Sequence, residues 1–236
     1  MTTLMEKPAA APSAWPAWFQ AEQSAALAEY EKLPAPVRKD EAWRFANIKA
    51  LDLSAFVDAP PVASEGRLIN ASTGLQKTSA KLVLGNNTLL HREASSLPKG
   101  VILETLESAA ANHPDLFKKY FMARPVELGS RKFAALHKAR VAAGAFLHVP
   151  ANTSVELPIE LFQWVEGANA SVFPHTLIVC GENSRVTVVD YFKSADKLPA
   201  FACGVNDLHL ERGAKLTYIA VQDWSRETTA FHLNST

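Results

Sequence analysis

Three histidines, His148, His175 and His209, stand within strand-like stretches of the chain, and imidazole is a frequent metal ligand when companions lie close by. The sequence supplies no such companions. It contains no CxxC, HxxxH or HExxH, nor the closely spaced HxH that a cupin-like metal barrel requires. Cys203 and His209 form the best-placed Cys–His pair, yet their separation specifies no geometry. Cys180, at the end of LIVC, reads as a small buried hydrophobe, and nothing around it would depress a thiol pKa. Asp190, Asp207 and Asp223 recur at intervals, as paired acids do in polysaccharide-degrading β-helix enzymes; the residue type favours surface placement. Trp164, Tyr191, Phe192, Tyr218 and Trp224 could form a stacking platform for sugars or bases, but packing is the expectation, because such platforms come with a basic groove. No Gly-rich phosphate loop is followed by Lys and Ser or Thr. No residue is therefore assigned as catalytic, cofactor-binding or metal-binding.

Bulk composition supports that restraint. Lys and Arg number 24 against 24 Asp and Glu, so no basic excess is available to neutralise nucleic-acid phosphates or an anionic membrane. With 48% hydrophobic residues across 236 positions, most of the chain is expected to fold. Two cysteines make no disulfide framework and suit a reducing compartment. The beginning, MTTLMEKPAAAPSAW, lacks the apolar run of a secretory signal, and the expected location is cytoplasmic.

The elements that would position these residues fall into two regimes. Residues 1–14, small and proline-bearing, read as a mobile tail. A helix with Ser13 as a candidate cap is expected from Pro16 onward, ending before Pro34 and Pro36. The segment DEAWRFANIKALDLSAF, with Trp43, Phe45, Ile48, Leu51, Leu53 and Phe56, reads as a short helix or turn packed on the domain behind it. KLVLGNNTLL predicts a hairpin turning at Gly85 to Asn87, and Val101 to Leu103 a further strand. Between Glu104 and Ala143 the pattern is helical, in pieces separated by Pro114 and Pro125, with Gly144 as a stop. The expected organisation is an α+β amino-terminal domain over 15–143, then an all-β part over 144–236.

That second part repeats. Val149 to Leu157, Cys180 to Val188 and Leu210 to Tyr218 align so that Asn152, Asn183 and Gly213 coincide, about thirty residues apart. Each copy offers a residue tolerant of the left-handed conformation, then a small one (Thr153, Ser184, Ala214), then alternating apolar positions. A strand–turn–strand unit that recurs in this way suits a stacked solenoid, in which each coil buries its apolar face against the next; an antiparallel sandwich is the competing architecture. The β pattern is still running at TTAFHLNST, so truncation there, or reliance on a partner, is expected.

Several segments resemble the SufB/SufD family of iron–sulfur cluster assembly proteins. The run FAALHKARVAAGAFLHVPANTSVELPIEL, Phe133 to Leu161, is similar to that family's F-x-A-L-N-x-A helix, glycine, strand and V-P-x-x-x-x-V-x-x-P-I, with His137 where the family usually has Asn. HTLIVCGENSRVTVVDYF and NDLHLERGAKLTYIAVQDW, with Gln222 in the expected place, resemble the segments that follow, and EAWRFANIKALDL looks like the early E-x-W-R-Y signature. The early W-R-F and the lack of a cysteine-rich stretch resemble SufD more than SufB. The resemblance implies a right-handed parallel β-helix, incomplete at its carboxy terminus, in a non-catalytic scaffold subunit. It further implies a SufB-like paralogue and a SufC-like ATPase as partners, the latter through a carboxy-terminal part not in this sequence, with neither nucleic acid nor membrane engaged. The iron–sulfur cluster would be assembled transiently by the whole complex, with no cofactor held by this fragment alone. Rival expectations are a carbohydrate-active β-helix enzyme and a small-ligand-binding sandwich or cupin-like module.

Overall fold

A computed structural model describes residues 15–46, 52–94, 96–125 and 131–236. The expected tail over 1–14, with Ser13, lies outside the described residues, as do Ile48 and Leu51. Helix α1 (Ala17–Lys32) starts after Pro16, whose fixed φ suits a helix entrance, and its cap makes no side-chain hydrogen bond. Trp43 belongs to a single 3-10 turn (Glu41–Trp43), while Phe45 stands 89% exposed, so the W-R-F segment is only partly packed.

The other α-helices among the described residues are α2 (Glu65–Ala71), α3 (Leu106–Asn112), α4 (Pro114–Tyr120) and α5 (Arg131–Arg140). Thr105 caps α3 by accepting the Ser108 N–H, and Pro114 sits in the first turn of α4, where its missing N–H costs nothing. Gly144 is not a helix cap, since α5 ends at Arg140. It is glycine because an added Cβ would collide with the backbone carbonyl of His175.

Among the described residues twelve strands, β1 (Val57–Asp58), β2 (Ala80–Gly85), β3 (Thr88–Glu93), β4 (Ile102–Thr105), β5 (Ala145–Val149), β6 (Ile159–Val165), β7 (Ala170–Val172), β8 (His175–Cys180), β9 (Arg185–Ser194), β10 (Ala200–Leu210), β11 (Lys215–Asp223) and β12 (Thr228–Ser235), form two sheets. The first has seven strands, ordered β1-β7-β10-β8-β5-β4 with β12 added on β10; the second has five, ordered β11-β9-β6-β2-β3. Coil-to-coil pairing is parallel throughout, and successive coils stack in register: Ile159 on Val188, Val188 on Tyr218. The step of about thirty residues is the one legible in the sequence. The chain is a parallel β-helix, in which β2 already takes a place in the second sheet by pairing in parallel with β6. The antiparallel strands β3 and β4 border the first coil, one on each sheet.

The repeat's turns behave as their residues require. Asn152, Asn183 and Gly213 all have positive φ (57°, 56° and 73°), and the Asn183 amide donates to Asn152 Oδ1 at 3.3 Å. Strand alternation then divides the first sheet between two cores. Leu103, Leu147, Ile178 and Cys180 point into the solenoid, against Leu161, Val186 and Val188 of the second sheet. Phe146, Leu177, Val179, Phe201 and Val205 point outward, under a layer of helices contributing Phe19, Leu106, Phe117 and Leu136. Both faces of this sheet are thus covered, which explains why β8 is buried at every position.

Candidate functional site

The first sheet's outer face carries the densest set of titratable groups. His175 on β8, with Cys203, Asp207 and His209 on β10, share the outward parity of Phe201 and Val205, so the helical layer buries them. His137 meets them from α5: its Nδ1 lies 2.7 Å from the Cys203 carbonyl and its Nε2 lies 2.9 Å from His175 Nδ1. A carbonyl only accepts, so His137 carries its proton on Nδ1, and its bare Nε2 accepts from His175 Nδ1–H. One backbone oxygen thereby sets the tautomers of two rings. His175 Nε2 is left bare, 3.9 Å from Asp207 Oδ2, which already accepts the Met122 N–H at 2.5 Å.

His209 Nε2 approaches Asp207 Oδ1 to 2.8 Å, within ion-pair range but off the line of a hydrogen bond, so neither atom has a directed partner. Beyond His209 stands Tyr120, its ring 4.9 Å away and its hydroxyl donating to Glu211 Oε1 at 2.7 Å while accepting from Lys119 at 2.8 Å. Burial holds His137 down to about 4, although its bond to the Cys203 carbonyl works the other way. Burial chiefly, and then the neighbouring imidazoles, drive His175 well below its ordinary value.

A second polar group occupies the solenoid interior. Asp190 is fully buried and accepts from Thr176 Oγ1 (2.5 Å), Gln163 Nε2 (3.0 Å) and Tyr218 OH (2.8 Å). Burial raises its carboxyl to about 6, the three donors opposing that shift, and the Tyr218 hydroxyl is pushed up by burial and by Asp190. Further along, His232 Nε2 donates to Asn206 Oδ1 at 2.9 Å and Asn206 Nδ2 donates to Asn234 Oδ1 at 2.8 Å. Burial lowers His232 to about 4.

These positions correct the surface reading of the acids. Asp190 and Asp207 are wholly buried, on opposite faces of their strands, and only Asp223 keeps its side chain largely exposed, paired with Lys193 at 3.3 Å. They do not converge as a catalytic pair. Cys203 and His209 are not partners either: the Cys203 contribution is its carbonyl, and burial pushes its thiol up to about 12 and that of Cys180 up to about 11. His148 lies on β5, apart from the cluster, with Nδ1 unpartnered. Among the described residues no group of three or more His, Cys, Asp or Glu is arranged to hold a metal ion. Of the aromatics, Phe192 and Trp164 are buried, Tyr191 stacks on Phe162 with centroids 4.4 Å apart, and Trp224 lies 6.1 Å from Phe192, so no open platform forms. A cavity of about 10 Å³, room for one water, lies between Gln163, Trp164, Phe173 and Trp224.

His137 is the member that sequence reading left without a role. Its only signal was that it stands where the resembled family usually has Asn.

The fold defines a parallel β-helix protein whose polar clusters join layers. Two adjacent family models match it: the SufBD protein N-terminal region over residues 69–161, and the SufBD core domain of SUF-system FeS cluster assembly over residues 163–236. The chain belongs to the SufBD family. It is 32% identical to the iron–sulfur cluster assembly protein SufD of Bacillus subtilis over 92% of its own length and 51% of that protein. It is also 30% identical to an iron–sulfur cluster assembly SufBD family protein of Staphylococcus aureus strain USA300, over 54% of this chain and 27% of that one. The chain thus spans about half the length of the Bacillus relative. Among the described residues, no helix is long and apolar enough to cross a membrane.

Proposed function

We propose that the chain acts as a scaffold subunit of a SufBCD-type complex, in the cytoplasm, pairing with a SufB-like paralogue and a SufC-like ATPase while an iron–sulfur cluster is built as cargo. On this reading it catalyses no step itself and retains no cofactor. The observation that carries the proposal is likeness to SufD along 92% of the chain, spanning the helical layer as well as the solenoid. The geometry is consistent with it, since the buried His and Asp side chains fasten one layer to another and do not line a cleft.

Affinity purification of the tagged full-length gene product is expected to bring down SufB-like and SufC-like partners, and its deletion to lower the activity of cluster-dependent enzymes. A product that purifies alone, from cells whose cluster enzymes are unaffected by the deletion, would overturn the proposal. A carbohydrate-active β-helix enzyme is disfavoured by the separation of Asp190, Asp207 and Asp223. Turnover of a polysaccharide panel by the purified protein would revive it.

A further inference from the structure

The seam between helices and solenoid is polar where hydrophobic packing alone would suffice, and its polar groups are arranged in one direction. His137 Nδ1–H must point at the Cys203 carbonyl, which obliges His137 Nε2 to accept from His175 Nδ1–H. The single site for another proton on His137 is therefore Nε2, where it would face the His175 N–H across 2.9 Å. Turning His175 to its other tautomer does not relieve this. Its proton would then sit on Nε2, 3.9 Å from Asp207 Oδ2, beyond hydrogen-bonding reach of an oxygen already bonded to Met122 N. Whichever tautomer His175 takes, charging His137 leaves one ring N–H of the pair without an acceptor, in a place with no access to water.

We infer that His137 is an acid-released latch: proton uptake there frees α4 and α5 from the outer face of the first sheet while the solenoid beneath stays paired. The latch concerns this chain alone and stands independently of the assembly role.

The groups facing His137 allow this. From β8 comes His175 and from β10 the Cys203 carbonyl. Asp207 and His209 of β10 and Lys119 and Tyr120 of α4 lie beyond His175, Tyr120 bonded to Glu211 just past β10. His232 of β12 sits on the solenoid side of the sheet, bonded to Asn206, and acts on His137 only as a like charge. The acids of the seam lie beyond His175 and are engaged by Met122 N and Tyr120, so neither contacts the His137 ring. The depressed basicity of His137 and His175 acts in the same direction, because both regain their ordinary proton affinity once the layer lifts. The solenoid retains separate ties: β6, β9 and β11 are paired strand to strand and packed on the interior core, which the helices do not touch.

Hydrogen–deuterium exchange on the full chain between pH 7 and pH 5, corrected for intrinsic exchange rates, tests the latch. Below pH 6 the opening constant of α4 and α5 is expected to rise about tenfold per pH unit for each histidine that gains a proton on opening, about a hundredfold for the pair. Amides of β6 and β9 should keep their protection. Asn at position 137 can still donate to the Cys203 carbonyl but cannot titrate, so His137→Asn should make the slope about tenfold per unit shallower. Helix protection that is flat with pH, strands that open in step with the helices, or a His137→Asn chain with the wild-type slope would each overturn the inference. Should that variant not fold, the imidazole ¹⁵N signals of the wild-type chain decide. A His137 that stays neutral until the helices lose protection supports the latch, and one that gains a proton while they remain protected sinks it.

Discussion

At the scale of single residues, the buried titratable groups make opposing demands on pH. Asp190, with its carboxyl raised to about 6, favours the folded state most below about 4, and that contribution is lost as pH rises through 6. His137 and His232, both lowered to about 4, favour the folded state fully above about 6.5, and their contribution is lost as pH falls towards 4. Each shift corresponds to about 3 kcal/mol, so across this window two histidines outweigh one acid and the protein should weaken on acidification. Asp190→Asn removes the opposing gain and is expected to steepen that decline by about 3 kcal/mol between pH 6.5 and 4. Urea titrations at four pH values would show it, and parallel profiles for the two chains would refute it. His137→Ala strands the His175 N–H and the Cys203 carbonyl inside the seam, and should cost about 2–4 kcal/mol in the same titration at pH 7.5. Neither burial was legible beforehand. Asp190 and Asp207 sit in alternating strands that look like half-exposed sheet; Asp190 is buried because the two sheets close around it, and Asp207 because helices contributed by chain more than sixty residues upstream cover its face.

At the scale of elements, the turns were legible and the reason for one glycine was not. Asn152, Asn183 and Gly213 announce themselves because few residue types accept positive φ, a local constraint that survives any tertiary context. Gly144 looked like a helix stop by the same local logic, but its requirement is the close passage of the His175 carbonyl, which only the folded chain reveals. The two glycines should therefore differ when replaced. Gly213→Ala meets backbone strain and the flexible Asn183 side chain, and should cost about 1–2 kcal/mol. Gly144→Ala meets backbone that cannot turn aside together with the Leu106 side chain, and should cost about 3 kcal/mol or more. Thermal melts of the two variants give the ranking, and a Gly144→Ala chain at least as stable as Gly213→Ala would contradict this account. The hairpin of β2 and β3 and the break before α4 followed from Asn86 and Pro114 in the same local way.

At the scale of the whole molecule, the first sheet is a shared wall. Its inner face belongs to the solenoid core and its outer face to the helical core, so damage on either side is transmitted through the same strands. Phe117→Ala, which empties a cluster where Phe117 lies 5.5 Å from Phe19 and 4.7 Å from Phe121, and Leu161→Ala inside the solenoid should each cost about 3–5 kcal/mol. At pH 7.5 both should lower the midpoint of a single transition, with far-UV circular dichroism and tryptophan fluorescence coinciding. Separated transitions at that pH would mean that the wall does not couple the two cores. The layered arrangement was only half visible in the sequence. The β repeat revealed the solenoid, whereas the docking of α5 on it depends on contacts far apart along the chain, such as His137 Nδ1 with the Cys203 carbonyl at 2.7 Å.

The stacked register also dictates which changes in chain length this protein can absorb. Removing one residue inside β9 would exchange the inward Asp190 with the outward Val189 and carry every later position of that strand to the wrong face. Excising a whole coil of about thirty residues would instead set equivalent strands on equivalent neighbours. For a molecule built in this way, the large deletion is the conservative one, and its lineage is expected to gain and lose length by the coil, with lesser insertions confined to the loops between strands.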